Sequence, residues 1–372
     1  MRILQICGGP SWGGMEMQTL QIARELREMG EDVHIFCSAG SELEKHAAED
    51  GMDFTSGLFD PDTGIFPSVK ACKKLLKDFR PDVIHCQRSH DLSVISTALR
   101  RVGSKAPLFF TQRMELRRNK KSIIHRRIYS RVNRFFCVSS FVREGFIKYS
   151  PAKPHKTFVM NNGVNLSKFD PGRHRKDMMI EKFNLPEADL YIGMSGRISP
   201  MKGHQDFIEA AAIVSEKSRQ KIHFIMAGPA SVGEDDFAAE IYRFAKDKLN
   251  KGNYTFIGFQ SDLSEILTPL DIYVFPSHRE SFGNVLIEAM AMKKAVVAVN
   301  AGGVSDIADC GINALCVQPQ APEEIAESIL TFINNKEQRE QFSEAALKKA
   351  QTFSREAFIE NLLKEYRSFT SQ

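Results

Sequence analysis

No run of about 18 apolar residues occurs in the 372-residue chain, so no segment reads as a membrane-spanning helix. The opening run Met1 to Cys7 is too short and too soon interrupted for a secretory leader. A CxxC pair and any Cys/His cluster at zinc spacing are missing, which excludes the common structural zinc sites. The GxGxxG fingerprint is missing too, which removes the ordinary nicotinamide-dinucleotide site and with it a dehydrogenase reading. A strong charge of one sign is lacking: the net charge of +4 argues against a fold that binds nucleic acid as a whole. There is one tryptophan, Trp12, no internal repeat and no low-complexity segment. Of the seven cysteines, Cys7, Cys37, Cys86 and Cys137 each close an apolar run, where a free thiol behaves as a small hydrophobe. The chain reads as cytosolic, reduced and without metal.

What is present is a regular alternation. Short apolar runs rich in Val, Ile, Phe and Leu are separated by amphipathic stretches of helical period. The runs are 2–7, 32–38, 82–86, 108–111, 135–139 and 157–160, then 191–195, 222–227, 254–258, 272–276, 295–300 and 314–317. Nearly continuous apolar strands are buried on both faces, as in parallel sheets covered by helices. Thr19, Ile22, Ala23, Leu26 and Met29 mark one such helix, closed by Gly30. The expected fold is α/β, with two doubly wound parallel-sheet domains. The polar stretch Asp170 to Arg175 sets the boundary, giving domains 1–170 and 171–352. A last helix, 353–372, has Ser354 as its N-cap and an apolar face of Ala357, Phe358, Leu362 and Tyr366 that must dock somewhere.

Three loops carry candidate chemistry. Gly196-Arg197-Ile198-Ser199-Pro200-Met201-Lys202-Gly203 follows the first strand of the second half, where wound sheets bind ligands. Arg197 offers a planar fork and Lys202 a point charge, a pair suited to a diphosphate; the alternative is two solvated loop cations. Glu280-Ser281-Phe282-Gly283-Asn284-Val285 leads into a helix whose free amides can receive phosphate or sugar oxygens. Glu288, about one turn in, can accept two hydroxyl hydrogen bonds from a ribose, or simply favour the helix dipole. Gly8-Gly9-Pro10-Ser11-Trp12-Gly13-Gly14 lets backbone approach a ligand closely, or is only a flexible loop.

These motifs together resemble glycosyltransferase family 4, over nearly the whole chain. The resemblance is carried by Gly13-Gly14, Val138-Ser139, Asn162-Gly163-Val164, Gly196-Arg197 with Lys202-Gly203, Pro276-Ser277, the Glu280/Glu288 pair and Gly302-Gly303. It implies the GT-B fold, two Rossmann-like domains facing each other across a cleft, with the final helix packed back on the N-terminal domain. It implies a nucleotide-sugar donor on the C-terminal domain and an acceptor on the N-terminal one. Arg197 and Lys202 would hold the diphosphate, Glu288 the ribose, and Glu280 with the amides of Phe282, Gly283, Asn284 and Val285 the donor sugar and phosphate. Gly13 and Gly14 would close over the diphosphate, and Arg197, Lys202 and Glu280 would carry catalysis. The implied reaction is retaining and needs no metal or other cofactor. One departure concerns the donor sugar: many relatives have a histidine after the strand 108–111, and here the stretch reads Thr111-Gln112-Arg113. Arg113 stands in as a cation facing donor sugar or acceptor, or is only surface.

The function so implied is transfer of a hexose-type sugar to a sugar or glycolipid acceptor in cell-envelope polysaccharide or lipopolysaccharide synthesis. The alternatives are a nucleotide-sugar enzyme without acceptor, of epimerase type, and a non-catalytic partner subunit. Residues 113–134 carry Arg113, Arg117, Arg118, Lys120, Lys121, Arg126, Arg127, Arg131 and Arg134 against Glu115 alone, so the rest of the chain is net acidic. This segment is expected to touch an anionic membrane on its cytoplasmic face or an acidic acceptor, or is only a solvated helix face. With Tyr129 its only Phe, Tyr or Trp, it does not suit single-stranded nucleic acid.

Overall fold

The computed structural model describes residues 1–57, 65–231 and 233–370. They form two units. In the first, β1 (Arg2–Cys7), β2 (Asp32–Ser38), β3 (Asp53–Gly57), β4 (Val83–Cys86), β5 (Leu108–Gln112), β6 (Arg134–Cys137) and β7 (Thr157–Val159) make one sheet in the order β3-β2-β1-β4-β5-β6-β7. In the second, β8 (Leu190–Ser195), β9 (Ile222–Ala227), β10 (Tyr254–Ile257), β11 (Ile272–Phe275), β12 (Ala295–Val299) and β13 (Leu315–Val317) make a sheet in the order β10-β9-β8-β11-β12-β13. Every recorded strand pair is parallel. Both units are therefore doubly wound α/β. The first sheet has one strand more than the sequence announces. β3 was missed because it is an edge strand, Asp-Phe-Thr-Ser-Gly, mostly half-buried and with a single large apolar side chain.

The division falls at Asn161–Asn162, ahead of the polar stretch from which the sequence boundary was read. Residues just past Asn161 are held by backbone pairing inside the second unit: Val164 N donates to Phe353 O at 2.8 Å, and Arg355 N to Val164 O at 3.0 Å. The first unit comprises Met1–Asn161 and the chain from Glu356 onward. The helix Arg355–Thr370 supplies Ile359, Leu362, Leu363 and Tyr366, all buried, to the cluster that contains Ile3, Ile35, Val83, Phe109 and Phe136. Each such side chain contributes roughly 1.5–3 kcal/mol by leaving water.

That core encloses a directed chain of hydrogen bonds. Arg113 Nη2 donates to Gln87 Oε1 (2.9 Å), Gln87 Nε2 to Gln5 Oε1 (3.0 Å), and Gln5 Nε2 to the Tyr366 hydroxyl (3.3 Å). Having accepted from Gln5, Tyr366 gives its own proton to His85 Nδ1 at 2.5 Å, which leaves His85 Nε2 to donate to Thr111 Oγ1 at 2.7 Å. Burial, helped by the Arg113 charge, pushes His85 down to about 3, so the imidazole is neutral as this chain requires. Arg113 is thus half-buried and tied inward, and the reading of it as simple surface is corrected. Tyr366→Phe keeps the ring but orphans Gln5 Nε2 and His85 Nδ1. We expect a stability loss of about 1–3 kcal/mol, seen as a lower urea midpoint at unchanged slope.

The all-reduced reading also needs correcting. Cys310 and Cys316 are joined as a disulfide, because the turn closed by Gly311 N donating to Ala314 O brings them side by side. Cys7, Cys37, Cys72, Cys86 and Cys137 are free and buried. Desolvation pushes Cys7, Cys37, Cys72 and Cys137 up to about 12, so they stay unreactive thiols at neutral pH. No helix among the described residues is long and apolar enough to cross a membrane.

Candidate functional site

In the second sheet the connections after β8 wind one way and those after β11 the other, so β8 and β11 are neighbours across a switch point. Ligands of wound sheets bind outside the carboxyl ends of the strands at such a point. The predicted residues of this half sit there, on the loops that follow β8 and β11 and in the first turns of the helix Asn284–Ala291.

The loops are locked together by backbone. His278 N donates to Met201 O at 3.0 Å, and Gly303 N to Glu280 O at 2.8 Å. Gly203 has φ +72°, and a Cβ there would lie 2.1 Å from Pro276 O. Gly302 has φ +65°, and its Cβ would lie 2.1 Å from Glu280 O. Only glycine permits both the left-handed backbone and the close approach. These glycines are therefore what fix the loop carrying Glu280. His278 Nε2 and Asp206 Oδ2, 2.7 Å apart, brace the same region from behind.

Lys202 and Glu280 meet: Lys202 Nζ donates to Glu280 Oε2 at 2.7 Å. The Lys202 charge and burial together hold the neighbouring His204 down to about 4, neutral at physiological pH, burial being the larger cause. Arg197, on the same loop as Lys202, is exposed and forms no hydrogen bond or ion pair through its side chain among the described residues. Its guanidinium fork remains available to a planar or tetrahedral anion.

The helix Asn284–Ala291 begins at Gly283, φ +109°. The amides of Phe282, Gly283, Asn284 and Val285 donate to no group among the described residues. Four free donors at a helix start make an anion cradle. Phe282 anchors it, buried and edge-on to Phe353 at 5.9 Å. The Asn284 side chain accepts from Asn162 Nδ2 at 3.2 Å.

Glu288 is half-buried, and its carboxylate has no hydrogen-bond partner among the described residues. Desolvation pushes it up to about 7, against a smaller opposing pull from the Lys168 charge. Fully buried Tyr273, whose hydroxyl is 2.9 Å from Ser195 Oγ, feels both carboxylates: burial raises its pKa first, and Glu288 and Glu280 raise it further. An acid kept half out of water with nothing to bond it is unfavourable in isolation and suited to a ligand with hydroxyl donors. Tyr273, Ser195 and Lys168 were not read from the sequence. A tyrosine inside the apolar run Ile272–Phe275 was the one signal for the first of them.

Gly13, Gly14 and Arg113 belong to the first unit. Gly13 is the N-cap of the helix Gly14–Glu28, and its amide donates to Glu16 Oε2 at 3.2 Å. The preceding loop is pinned by groups the sequence reading did not single out. Gly8 N donates to Asp91 Oδ2 at 2.6 Å, and Gly8 O accepts from Arg88 Nη1 (2.6 Å) and Ser38 Oγ (2.8 Å). A Cβ on Gly9 would strike the buried Glu16 carboxylate at 2.0 Å. The spacing Gly13-x-x-Glu16 was a legible capping signal. Asp91, buried, is raised to about 6 by desolvation. Among the described residues no group of three or more His, Cys, Asp or Glu is placed to hold a metal ion.

Two wound parallel-sheet units, one bearing two cations and an open helix start at its switch point, define a two-domain doubly wound α/β protein. Residues 12–168 match Glycosyltransferase Family 4, and residues 175–349 match glycosyl transferases group 1. Between them the two matches take in most of the chain, which belongs to the family-4 type of glycosyltransferases and has the GT-B fold. It is 25% identical over 362 residues to the capsular polysaccharide biosynthesis glycosyltransferase CapM of Staphylococcus aureus, covering 93% of this chain and 92% of that one. It is 30% identical over 223 residues to the D-inositol 3-phosphate glycosyltransferase of Segniliparus rotundus, where it spans 59% of this chain and only about half (49%) of that protein. Among solved structures, Anabaena HepE in complex with UDP-glucose superposes with a TM-score of 0.82 at 20% identity, over 99% of this chain and 100% of that one.

Proposed function

We propose that the second unit binds a nucleoside diphosphate sugar at the β8–β11 switch point, and that the chain transfers a hexose from it, with retention, to a sugar or lipid-linked acceptor. The observation that carries this reading is the coincidence, on one sheet edge, of Arg197, the Lys202–Glu280 pair, four undonated amides and the unbonded Glu288 carboxylate. Arg197 and Lys202 take the diphosphate with the amides. Glu288 accepts the ribose hydroxyls, and Glu280 faces the sugar. The bond from the anomeric carbon to the phosphate oxygen breaks, and the acceptor oxygen bonds the same face of that carbon. The acceptor proton passes to the departing phosphate oxygen. Fixed cations and amides aimed at the leaving diphosphate supply the charge stabilisation that a divalent metal would otherwise give. Within the first unit, Gly13 and Gly14 keep the loop after β1 open to a close backbone approach, and Arg113 offers a cation to an acidic group of a sugar ligand.

Similarity to a capsular polysaccharide enzyme supports a place in cell-envelope glycan synthesis. Peripheral contact with the inner face of the cytoplasmic membrane fits the basic segment, though not all of it. Arg131 donates to Ser104 O and Ala106 O, Arg134 pairs with Glu365 at 2.6 Å, and Lys120 donates to Ser89 Oγ. Arg118, Lys121, Arg126 and Arg127 remain exposed.

A thermal-shift screen with UDP, GDP, ADP, CMP and NAD, in excess chelator, tests the donor site. One nucleoside diphosphate at about 100 times its Kd stabilises the protein by roughly 2.7 kcal/mol, and Glu288→Ala removes that response. No shift with any diphosphate, or a shift with NAD alone, overturns the assignment. Conversion of the matching sugar nucleotide without acceptor would make the enzyme an epimerase instead.

A further inference from the structure

Cys310 and Cys316 differ from the other five cysteines in access. Those five are buried, whereas Cys310 is exposed and Cys316 half-buried. Exchange requires an attacking thiolate to reach a sulfur, so among the described residues this pair is the one open to it.

The turn between the two does not depend on the sulfur bridge. Asn313, buried at its base, accepts from Asp309 N at 2.9 Å through Oδ1. Its Nδ2 donates to Asp309 Oδ2 at 3.2 Å and to Ile307 O at 3.4 Å. Gly311 N donates to Ala314 O at 2.9 Å, and Lys349 Nζ, from the helix Lys336–Gln351, holds Asp309 Oδ2 at 2.9 Å. A turn held in this way keeps two thiols near one another after the bridge opens, so the bridge can form again. What the disulfide adds is a covalent tie from the end of the segment 302–310 to β13.

That segment reaches the donor site. Cys316 lies on β13 opposite Ala298 of β12, and just beyond them Asn300 N donates to Val317 O at 2.9 Å. The chain leaving β12 forms the helical turn Gly302–Asp306, which packs on the backbone of Glu280 and Ser281 before it returns to Cys310. A Cβ on Gly303 would lie 2.3 Å from Ser281 O, and the Gly303 amide holds Glu280 O. The segment that fixes Glu280, and through it the contact with Lys202, is thus closed at one end by β12 and at the other by the disulfide.

We propose that Cys310–Cys316 is a reversible thiol–disulfide exchange site, and that a dithiol reductant acting there sets how firmly the Glu280 loop is held. One thiolate of the dithiol attacks the exposed Cys310 Sγ, and Cys316 leaves as a thiolate that takes up a proton. The second thiol of the reductant attacks its own sulfur in the mixed disulfide and releases Cys310. The protein gains two electrons and two protons, and the dithiol becomes a disulfide. The oxidised chain is the faster enzyme, because a loop that holds catalytic groups works best when fixed. The effect on turnover rests on the donor-site reading above; the exchange and the loosening of the loop do not.

The test treats the native full chain with dithiothreitol and then with iodoacetamide. Two labels enter, both within residues 310–316, and the buried cysteines take none until the protein unfolds. Amide hydrogen exchange across residues 300–309 quickens on reduction by about fivefold, the low end of ordinary coupling between sites, and turnover of the nucleotide sugar falls by about the same factor. Oxidised glutathione reverses both changes. Cys310→Ser with Cys316→Ser behaves as the reduced wild type and ignores dithiothreitol; if that variant does not fold, the alkylated wild type supplies the same comparison. A bridge that resists the reductant until unfolding overturns the proposal. So do two labels with amide exchange unchanged, which make the disulfide an inert cross-link, and a dithiothreitol effect that persists in the double variant. If amide exchange responds while neither form turns over any nucleotide sugar, the redox link stands and the donor reading falls.

Discussion

Arg197→Ala is expected to lower kcat by about 10²–10³, and Lys202→Ala by a similar factor, the usual cost of one preorganised donor to a developing negative charge, about 2.7–4 kcal/mol. The two substitutions separate cleanly from stability. Arg197 is exposed and unpaired among the described residues, so its loss leaves the thermal midpoint unchanged. Lys202 gives up a partly exposed pair with Glu280, worth at most about 1 kcal/mol. Because the diphosphate gains charge as the glycosidic bond breaks, the loss in kcat exceeds the loss in donor affinity. Single-turnover rates at saturating donor beside direct titration of the nucleotide check this. A kcat within threefold of wild type in the Arg197 variant would remove that residue from the reaction. Arg197→Lys restores charge but not the fork, and recovers only part of the rate.

Glu288→Gln is expected to weaken donor binding by about tenfold to 150-fold, from the roughly 1.5–3 kcal/mol of hydrogen bonds to a charged group. Its effect on stability runs the other way and depends on pH. The folded carboxyl titrates at about 7 against an ordinary 4.5, so between those values the folded state holds a proton that the unfolded state has released. Stability therefore falls as pH rises from about 4.5 through 7. The amide has no such titration. Glu288→Gln should match wild type at about pH 4, below both values, and melt higher at about pH 8, while wild-type donor affinity improves over the same rise as the carboxylate forms. Equal melting at both pH values, or donor affinity flat with pH, would show that Glu288 is neither desolvated nor in the donor site. A group that costs stability and gains ligand is the signature of a binding residue rather than a dipole-stabilising acid.

Much of this was legible in the sequence, and the reason is physical. Inner strands of a covered parallel sheet must be apolar throughout, and the edge strands β7, β10 and β13 still carry enough Phe, Val, Ile or Leu to read as runs. β3, half-solvated at an edge, does not. Gly203 and Gly302 stood out as glycines, but what they are for, a 2.1 Å approach to Pro276 O and Glu280 O, needed coordinates. The Lys202–Glu280 contact joins loops 78 residues apart, and no local pattern records that. The basic segment misled in one respect. Sequence counts charges but not partners, and so could not distinguish Arg131 and Arg134, spent within the fold, from Arg118, which is exposed and unpaired among the described residues. Gln5, His85 and Gln87 were passed over because they sit within or beside apolar runs, where a polar residue looks like noise until its partner, 361 positions away in the case of Gln5 and Tyr366, is seen.

That separation bears on how the protein is made. Translation delivers β1 to β7 early, yet Ile359, Leu362, Leu363 and Tyr366, which complete their core, emerge only after all of Asn162–Arg355 has been polymerised. At roughly 5–20 residues per second the wait is on the order of ten to forty seconds. Throughout it the nascent sheet carries Ile3, Val83 and Phe109 without their final cover, and Gln5 and His85 without the hydroxyl that satisfies them. The half of the molecule that leaves the ribosome first is thus the last to become native, and it is this half that ribosome-associated chaperones would have to shelter.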